Sequence, residues 1–445
     1  MTASRMIGVK PESEDTLAAI ATFERGRDPA LLARKYAAMR QSPFAFMRGT
    51  CHLFYATLAS APEFSSASML DGAPRTWLSG DLHVENFGTY KGDNRLTYFD
   101  ITDFDESALG PVILDIARLL SSILAGGSEW GLNADDALAL ARKAQVAYAT
   151  ELASGKASWI ERENARGVLK RLFAQVAGRS RTELLDRFTV RKAKHRRLVI
   201  DDKHALSIPE EQRTNVERMI AAVGVAARDE AYFAPIDVAQ RVSGIGSLGT
   251  PRFIALVEGR GSPDRNVLLT IKAARRSSLA QMPRLVAGVQ PEWPSEAARI
   301  ANVQRHCSAV PPAFLRTLEW NSDSYVVREL QPEDDRVRLR DWEKHPKKLG
   351  DAIITMAAVS AWMHLRGAAW RGSASVDELV SFAHDDQWAP VLMRCSQDAS
   401  TRTEHQFQQF ARAYDNRELD ASADGTTDRI TGGATTTTTT MPPSP

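Results

Sequence analysis

The chain lacks any long hydrophobic run. No stretch approaches the roughly 18 apolar residues that a membrane span requires. Residues 1–15 hold no apolar segment of the kind that directs export. Cysteine is scarce: Cys51, Cys307 and Cys395 are odd in number and far apart. That excludes a disulfide framework and a cysteine-built zinc site, and it suits a reducing compartment. Charge of one sign is lacking too. A formal net charge of +1 gives no global attraction to nucleic acid or to a membrane surface. No period of about 20–50 residues repeats, which removes solenoids and propellers. The expectation from these absences is a cytoplasmic protein without nucleic-acid or membrane partners; oligomeric state leaves no mark.

What is present is core-forming capacity. A chain of 445 residues with 43% hydrophobic content can build one large two-lobed unit or about two to three domains. Helical patterns cover 15–61, and 61–74 reads as a loop. A short strand is expected at 75–78. Two β-rich runs, 87–90 and 96–101, flank the turn 91–95 and read as a hairpin. Helices are expected at 111–125, 133–153 and 159–177. The basic stretch 187–203 reads as a solvated face or loop. From about Pro235 the pattern changes, with strands at 238–242, 252–258 and 266–273, a helix at 296–307, and strands at 314–320 and 324–330. A long apolar helix follows at 348–368, and helices continue to about Leu419. Residues 421–445, rich in Thr, Gly and Pro, read as a disordered tail.

Chemistry concentrates in Ser79-Gly80-Asp81-Leu82-His83-Val84-Glu85-Asn86-Phe87-Gly88, directly after the first strand. The hairpin then delivers Asp100, Asp103 and Asp105. Phosphoryl transfer needs one carboxylate to orient a hydroxyl, plus an amide oxygen and a second carboxylate to hold Mg²⁺ on nucleotide phosphates. Magnesium takes hard oxygen ligands, commonly one or two carboxylates completed by phosphate and water. Asp81, Asn86 and Asp103 supply those parts. The blander alternative is that Asp81 and Asn86 cap turns in a solvated acidic loop. His83 has no companions at ligand spacing for zinc.

A second motif lies far downstream. Gly244-Ile245-Gly246-Ser247-Leu248-Gly249 is a G-x-G-x-x-G sequence, but a strand follows it rather than the helix that a dinucleotide fold requires. Strand, glycine loop, strand, turn, then a strand ending in Ile271-Lys272 is the ATP-covering order of kinases. There Gly244, Gly246, Ser247 and Gly249 would lie over the phosphates, with Lys272 as a point charge. An acidic or amide partner for Lys272 is expected on the next helix, Glu296 or Gln304. Glu329–Gln331 would offer backbone groups to adenine. Arg48, on an apolar helix, is expected to reach a phosphate or to brace an acid such as Asp115.

The segments Gly80–Asn86, Thr102–Ser107 and Leu114–Ala117 resemble the catalytic segment of aminoglycoside phosphotransferases and related small-molecule kinases. Ser79 stands where that family usually has His. The resemblance implies Asp81 as catalytic base and Asn86 as a metal ligand, with Asp103 or Asp100 as the metal carboxylate. Asp115 would steady the loop through backbone hydrogen bonds. In ordinary kinases the glycine loop precedes the catalytic loop; here the order is reversed. An α+β, protein-kinase-like two-lobed fold that is circularly permuted reconciles the two. Its parts would be a helical lobe at 1–234 with the catalytic and metal-binding loops, a β-rich ATP-covering lobe at 235–335, and the second part of the helical lobe at 336–420. From about 25 to 415 the chain also resembles an uncharacterised bacterial family, the domain of unknown function numbered 2252. The resemblance rests on 42–49, Gly80–His83 with Asn86–Gly88, 103–106, 242–249, Lys272, Arg299 with Gln304, and 327–330. That family usually has Lys-Glu-Ala where this chain has Lys272-Ala273-Ala274. The functional expectation is an ATP- and Mg²⁺-dependent phosphotransferase acting on a small-molecule hydroxyl. AMP transfer from the same site, or an inactive nucleotide-binding scaffold, are the alternatives.

Overall fold

The computed structural model describes residues 16–61, 67–286, 288, 290–332 and 335–419. The tail expected at 421–445 lies outside them. Helix α1 (Thr16–Glu24) is followed by α2 (Pro29–Met39) and α3 (Pro43–Gly49). Asp28 accepts the Leu31 amide and Ser42 the Ala45 amide, each with proline in the first turn, where a missing N–H leaves nothing unpaired. Helix α4 (Cys51–Ser60) completes this start. Helix α5 (Ala67–Gly72) occupies part of the span read as a loop.

Strand β1 (Arg75–Leu78) and the hairpin of β2 (Phe87–Lys91) and β3 (Thr97–Ile101) form as expected, with Phe87 opposite Ile101. A four-residue strand, β4 (Ala108–Pro111), pairs antiparallel with β1, Trp77 facing Leu109. Its sequence, Ala-Leu-Gly-Pro, has neither alternation nor branched residues, so it reads as the approach to a helix. That helix, α6 (Ile113–Gly126), starts two residues later than expected. Helix α7 (Ala134–Ala153), the two-residue β5 (Ile160–Glu161), α8 (Gly167–Gly178) and α9 (Arg181–Phe188) follow. The basic stretch is an antiparallel hairpin, β6 (Thr189–Lys192) with β7 (His195–Leu198), rather than a loop; residues 190–195 and Arg197 are exposed, as expected of a solvated face. Arg196 is fully buried there between Asp186 and Asp264.

A short β8 (Ala205–Leu206) and helix α10 (Glu210–Ala227) lead into β9 (Pro235–Arg241), β10 (Arg252–Val257) and β11 (Val267–Ala273). Helix α11 (Glu296–Cys307), β12 (Arg316–Trp320) and β13 (Asp323–Glu329) come next. The strands form one six-stranded antiparallel sheet in the order β12-β13-β11-β10-β9-β8. Both its faces are covered. Phe253, Ala255 and Val257 pack with Val216, Met219 and Ile220 of α10, while Ile254 and Leu256 join Leu185 and Leu198 on the other side. Two-sided burial is why β10 reads as an unbroken apolar run.

Helices α12 (Pro346–Gly367), α13 (Val376–His384) and α14 (Trp388–Asp415) are the last elements among the described residues. The largest core joins α3, α4, α6, α7, α12 and α14 to one face of α11. Each fully buried Leu, Ile or Phe there contributes about 1.5–3 kcal/mol. The architecture is α+β, with several small antiparallel sheets set among helices. Among the described residues no helix is long and apolar enough to cross a membrane.

Candidate functional site

At the end of β1 the chain turns sharply at Gly80, whose φ is +81°. A Cβ there would lie 1.9 Å from the carbonyl oxygen of Glu106, so only glycine fits. The turn is held from below. Asp115, fully buried in the first turn of α6, accepts the amides of Ser79 at 2.8 Å and Gly80 at 3.0 Å. His364 of α12 lies 3.3 Å from the same carboxylate. The Tyr55 hydroxyl donates to the Gly80 carbonyl. This scaffold aims Asp81 outward.

Asp81 Oδ1 accepts from both Nε and Nη2 of Arg118, at 3.0 and 2.8 Å. Arg118 is completely buried, stacks over Phe54, and also donates to the Met47 carbonyl. His83 Nε2 lies 3.8 Å from Asp81 Oδ2. Burial, then the charges of Arg48 and Arg118, hold the His83 imidazole well below its ordinary pKa, so it is neutral. Its Nδ1 accepts the Glu85 amide, which leaves the proton on Nε2, toward Asp81. The Asn86 side-chain nitrogen donates to the Asp81 carbonyl, so Oδ1 is the Asn86 atom left to present to a cation.

The second half of the site arrives from the sheet. Lys272, near the end of β11, is 3.5 Å from Asp103 and also pairs with Asp105. Burial raises the Asp103 carboxyl, but Lys272 and then Arg328 outweigh it and hold Asp103 below the usual carboxylate range. Burial and the neighbouring Asp103 charge push Asp105 up.

The glycine loop joins β9 to β10 above these acids, with Gly244 and Gly249 at positive φ. It is tied to the N-terminal helices. Lys35, fully buried, donates to the Gly246 carbonyl at 3.2 Å and pairs with Glu24 at 2.6 Å. Arg27 donates to the Leu248 carbonyl at 3.1 Å. Ser247 turns its hydroxyl back to the carbonyls of Ser243 and Gly244. Between the loop, β11, the hairpin acids and the Asp81 loop lies a cleft of about 620 Å³. Asp81, Asn86, Asp103, Gly244, Gly246, Ser247, Gly249 and Lys272 all line it.

A family model described as "Uncharacterized protein conserved in bacteria (DUF2252)" matches residues 27–413. The chain belongs to the DUF2252 family. No curated protein and no solved structure matches it. In this DUF2252 chain two expected site residues lie away from the cleft. Asp100 sits inside β3, where its oxygens accept the Ile101 and Ala309 amides at 2.8 and 2.9 Å and face Arg366 at 3.4 Å. Burial raises its carboxyl, with Arg366 opposing. Glu329 pairs with Arg95 at 2.8 and 3.0 Å and lines a separate hollow.

Neither expected helical partner holds Lys272. Glu296 pairs with Arg299, three residues on along α11, at 2.7 Å. Arg299 in turn donates to the carbonyls of Asp105 and Ser107, so α11 braces the hairpin acids rather than the lysine. Gln304 lines a small void shared with Lys272, and its Nε2 is buried without a partner. Arg48 pairs with Glu85 instead of Asp115. Sequence reasoning missed Arg118 and the Glu24–Arg27–Lys35 clamp. The one available signal was the position of Arg118 three residues after Asp115, on the same face of an apolar helix.

Among the described residues no group of three or more His, Cys, Asp or Glu is arranged to hold a metal. A zinc-type cage is therefore lacking among them. Asp103 and Asn86 bring one carboxylate and one amide oxygen to the cleft, donors of the hard type that magnesium accepts.

Proposed function

We propose that the cleft binds a magnesium nucleotide and transfers a phosphorus-containing group to the hydroxyl of a small molecule. The observation that carries this reading is the meeting of Lys272 and Asp103, 169 positions apart in sequence and 3.5 Å apart in space. It occurs beneath a glycine loop and beside Asp81 and Asn86. The sheet supports the same reading. A strand, a glycine loop, a strand, a lysine-bearing strand, a helix and two further strands follow one another in the order of an ATP-covering kinase lobe. In a kinase that lobe precedes the catalytic loop, so the likeness is to a permuted kinase.

In this reading Lys272 and the glycine-loop amides hold phosphate oxygens. Asp103 and Asn86 would hold Mg²⁺, which would neutralise charge on the phosphates. Asp81 Oδ2 receives the acceptor's hydroxyl hydrogen. Arg118 keeps Oδ1 occupied, so Asp81 meets the nucleophile through Oδ2 alone and orients it more than it strips the proton early. That suits a loose transition state. A donor in the kinase orientation would deliver its γ-phosphoryl group. A reversed donor would deliver AMP, and the chemistry of the cleft's inner end favours the second.

Thermal melting tests the reading. ATP with Mg²⁺ raises the melting temperature, ATP with chelator does not, and Asp103→Asn and Lys272→Ala each remove most of the rise. A wild-type protein indifferent to ATP and Mg²⁺ would overturn it.

A further inference from the structure

Residues 329–331, where a nucleotide base is expected from sequence, offer it little. The Glu329 amide donates to the Ala313 carbonyl and the Leu330 amide to the Leu268 carbonyl. The Gln331 carbonyl accepts from Arg241 at 3.5 Å. Residues 329–331 line a separate hollow of about 80 Å³ that shares no residue with the cleft, and between them and the cleft the space belongs to arginine. Arg241 at the end of β9, Arg252 at the start of β10, Arg328 on β13, and Arg336 converge on a void of about 10 Å³. That is about the least that holds one water, and far too little for a purine.

Arg252 is the telling member. It is 9% exposed, and it lines the main cleft as well as the void behind it. Its Nη1 donates to the Ser243 carbonyl at 3.0 Å, while its Nε is buried with no hydrogen-bond partner. Burial and the nearby charge of Arg328 pull its guanidinium down to about 10, despite Asp103. A buried cation crowded by cations is unfavourable unless an anion joins it. Asp103 and Asp105 are already engaged by Lys272. Arg336, half-buried, also lines the cleft, so an anion entering its inner end meets two guanidinium groups.

We propose that the inner end of the cleft is a pyrophosphate subsite built around Arg252 and Arg336, so that the donor nucleotide lies with its phosphate chain inward and its nucleoside pointing away from residues 329–331. The proposal rests on the nucleotide reading above. It reverses the donor and puts the α-phosphate beside Lys272 and Asp103. The acceptor oxygen then bonds to the α-phosphorus, and the bond from that phosphorus to the bridging oxygen of the β-phosphate breaks. Pyrophosphate leaves with the electron pair, the hydroxyl proton passes to Asp81 Oδ2, and the acceptor gains a nucleoside monophosphate.

The test is calorimetric titration of the full chain with inorganic pyrophosphate and Mg²⁺. Wild type binds pyrophosphate, and pyrophosphate displaces ATP. Adenosine neither binds nor displaces. Arg252→Gln weakens pyrophosphate at least about tenfold, the value of one charge-assisted contact, and Arg252→Lys loses less. The lysine variant keeps the test valid if the glutamine variant fails to fold. Slow hydrolysis with water as acceptor yields AMP and pyrophosphate rather than ADP and phosphate. If ATP binds wild type and both variants equally and adenosine competes, the reversed donor is wrong while the nucleotide site stands. If neither ATP nor pyrophosphate binds, both readings fall.

Discussion

At Asp81 one carboxylate oxygen accepts two N–H bonds from Arg118, and the other faces His83 and the cleft. Removing Arg118 leaves Asp81 partly buried beside an empty cationic position. Arg118→Met is expected to cost about 2–4 kcal/mol, somewhat less than a fully buried pair because Asp81 keeps 20% exposure. Urea unfolding measures it, and wild-type stability in that variant would contradict the role given to Arg118. Gly80→Ala sets a methyl against the Glu106 carbonyl at a left-handed φ, so a loss of about 3 kcal/mol or more is expected from the same measurement. Lys35 gives a pH signature. Burial, against the pull of Glu24, lowers its pKa from 10.5 to about 8. Between those values the unfolded chain holds more protons, so stability rises with pH across that window, and below about 8 the difference is constant. Lys35→Met keeps the Glu24–Arg27 pair at 2.7 Å and removes this contribution. Stability of wild type minus variant should therefore climb by up to about 3 kcal/mol between pH 8 and 10.5. A flat difference curve would mean that Lys35 is not buried against Gly246.

Among the elements, the glycine loop is the one whose behaviour depends most on distant partners. Its glycines free the backbone, while Arg27 and Lys35 tether its carbonyls. Arg27→Ala should speed hydrogen exchange at residues 243–250 and leave β10 protected, as mass spectrometry of peptides would show; unchanged exchange would remove the tether from the account. Elements with a period or a turn signature were legible in sequence. Helix 296–307 agrees at both ends, and the β2–β3 hairpin follows from its Gly-Asp-Asn turn. Strand β4 was not legible, because four residues ending in Gly-Pro carry no periodicity and exist through pairing with β1. The β6–β7 hairpin was hidden by its charge, since burial of Arg196 depends on Asp264, 68 residues away. Long-range pairing also explains the site. Asp81, Asn86, Asp103 and Lys272 carried motif spacing, whereas Arg118, Lys35 and the arginines at 241, 252, 328 and 336 did not. Asp100 and Glu329 lie away from the cleft because strand alternation turns Asp100 to Ala309 and Arg366, and the Glu329 amide is taken by the Ala313 carbonyl.

Across the whole molecule, one cleft depends on segments from three parts of the chain: the helices at 16–49, the acidic loops at 79–107, and the sheet with the residues that follow it, 235–336. Lys272 pairs with Asp103 and Asp105, so the proposed metal nucleotide would exchange that pairing for metal and phosphate contacts. Binding should therefore weaken for nucleotide alone and for metal alone, and be strong only for the pair. Isothermal titration of Mg²⁺ with ATP into wild type and Asp103→Asn measures this directly. Saturable one-site binding by wild type, at least about tenfold weaker in the variant and absent with chelator, is the expected result. Equal affinity in the two proteins, or none in wild type, would contradict the account.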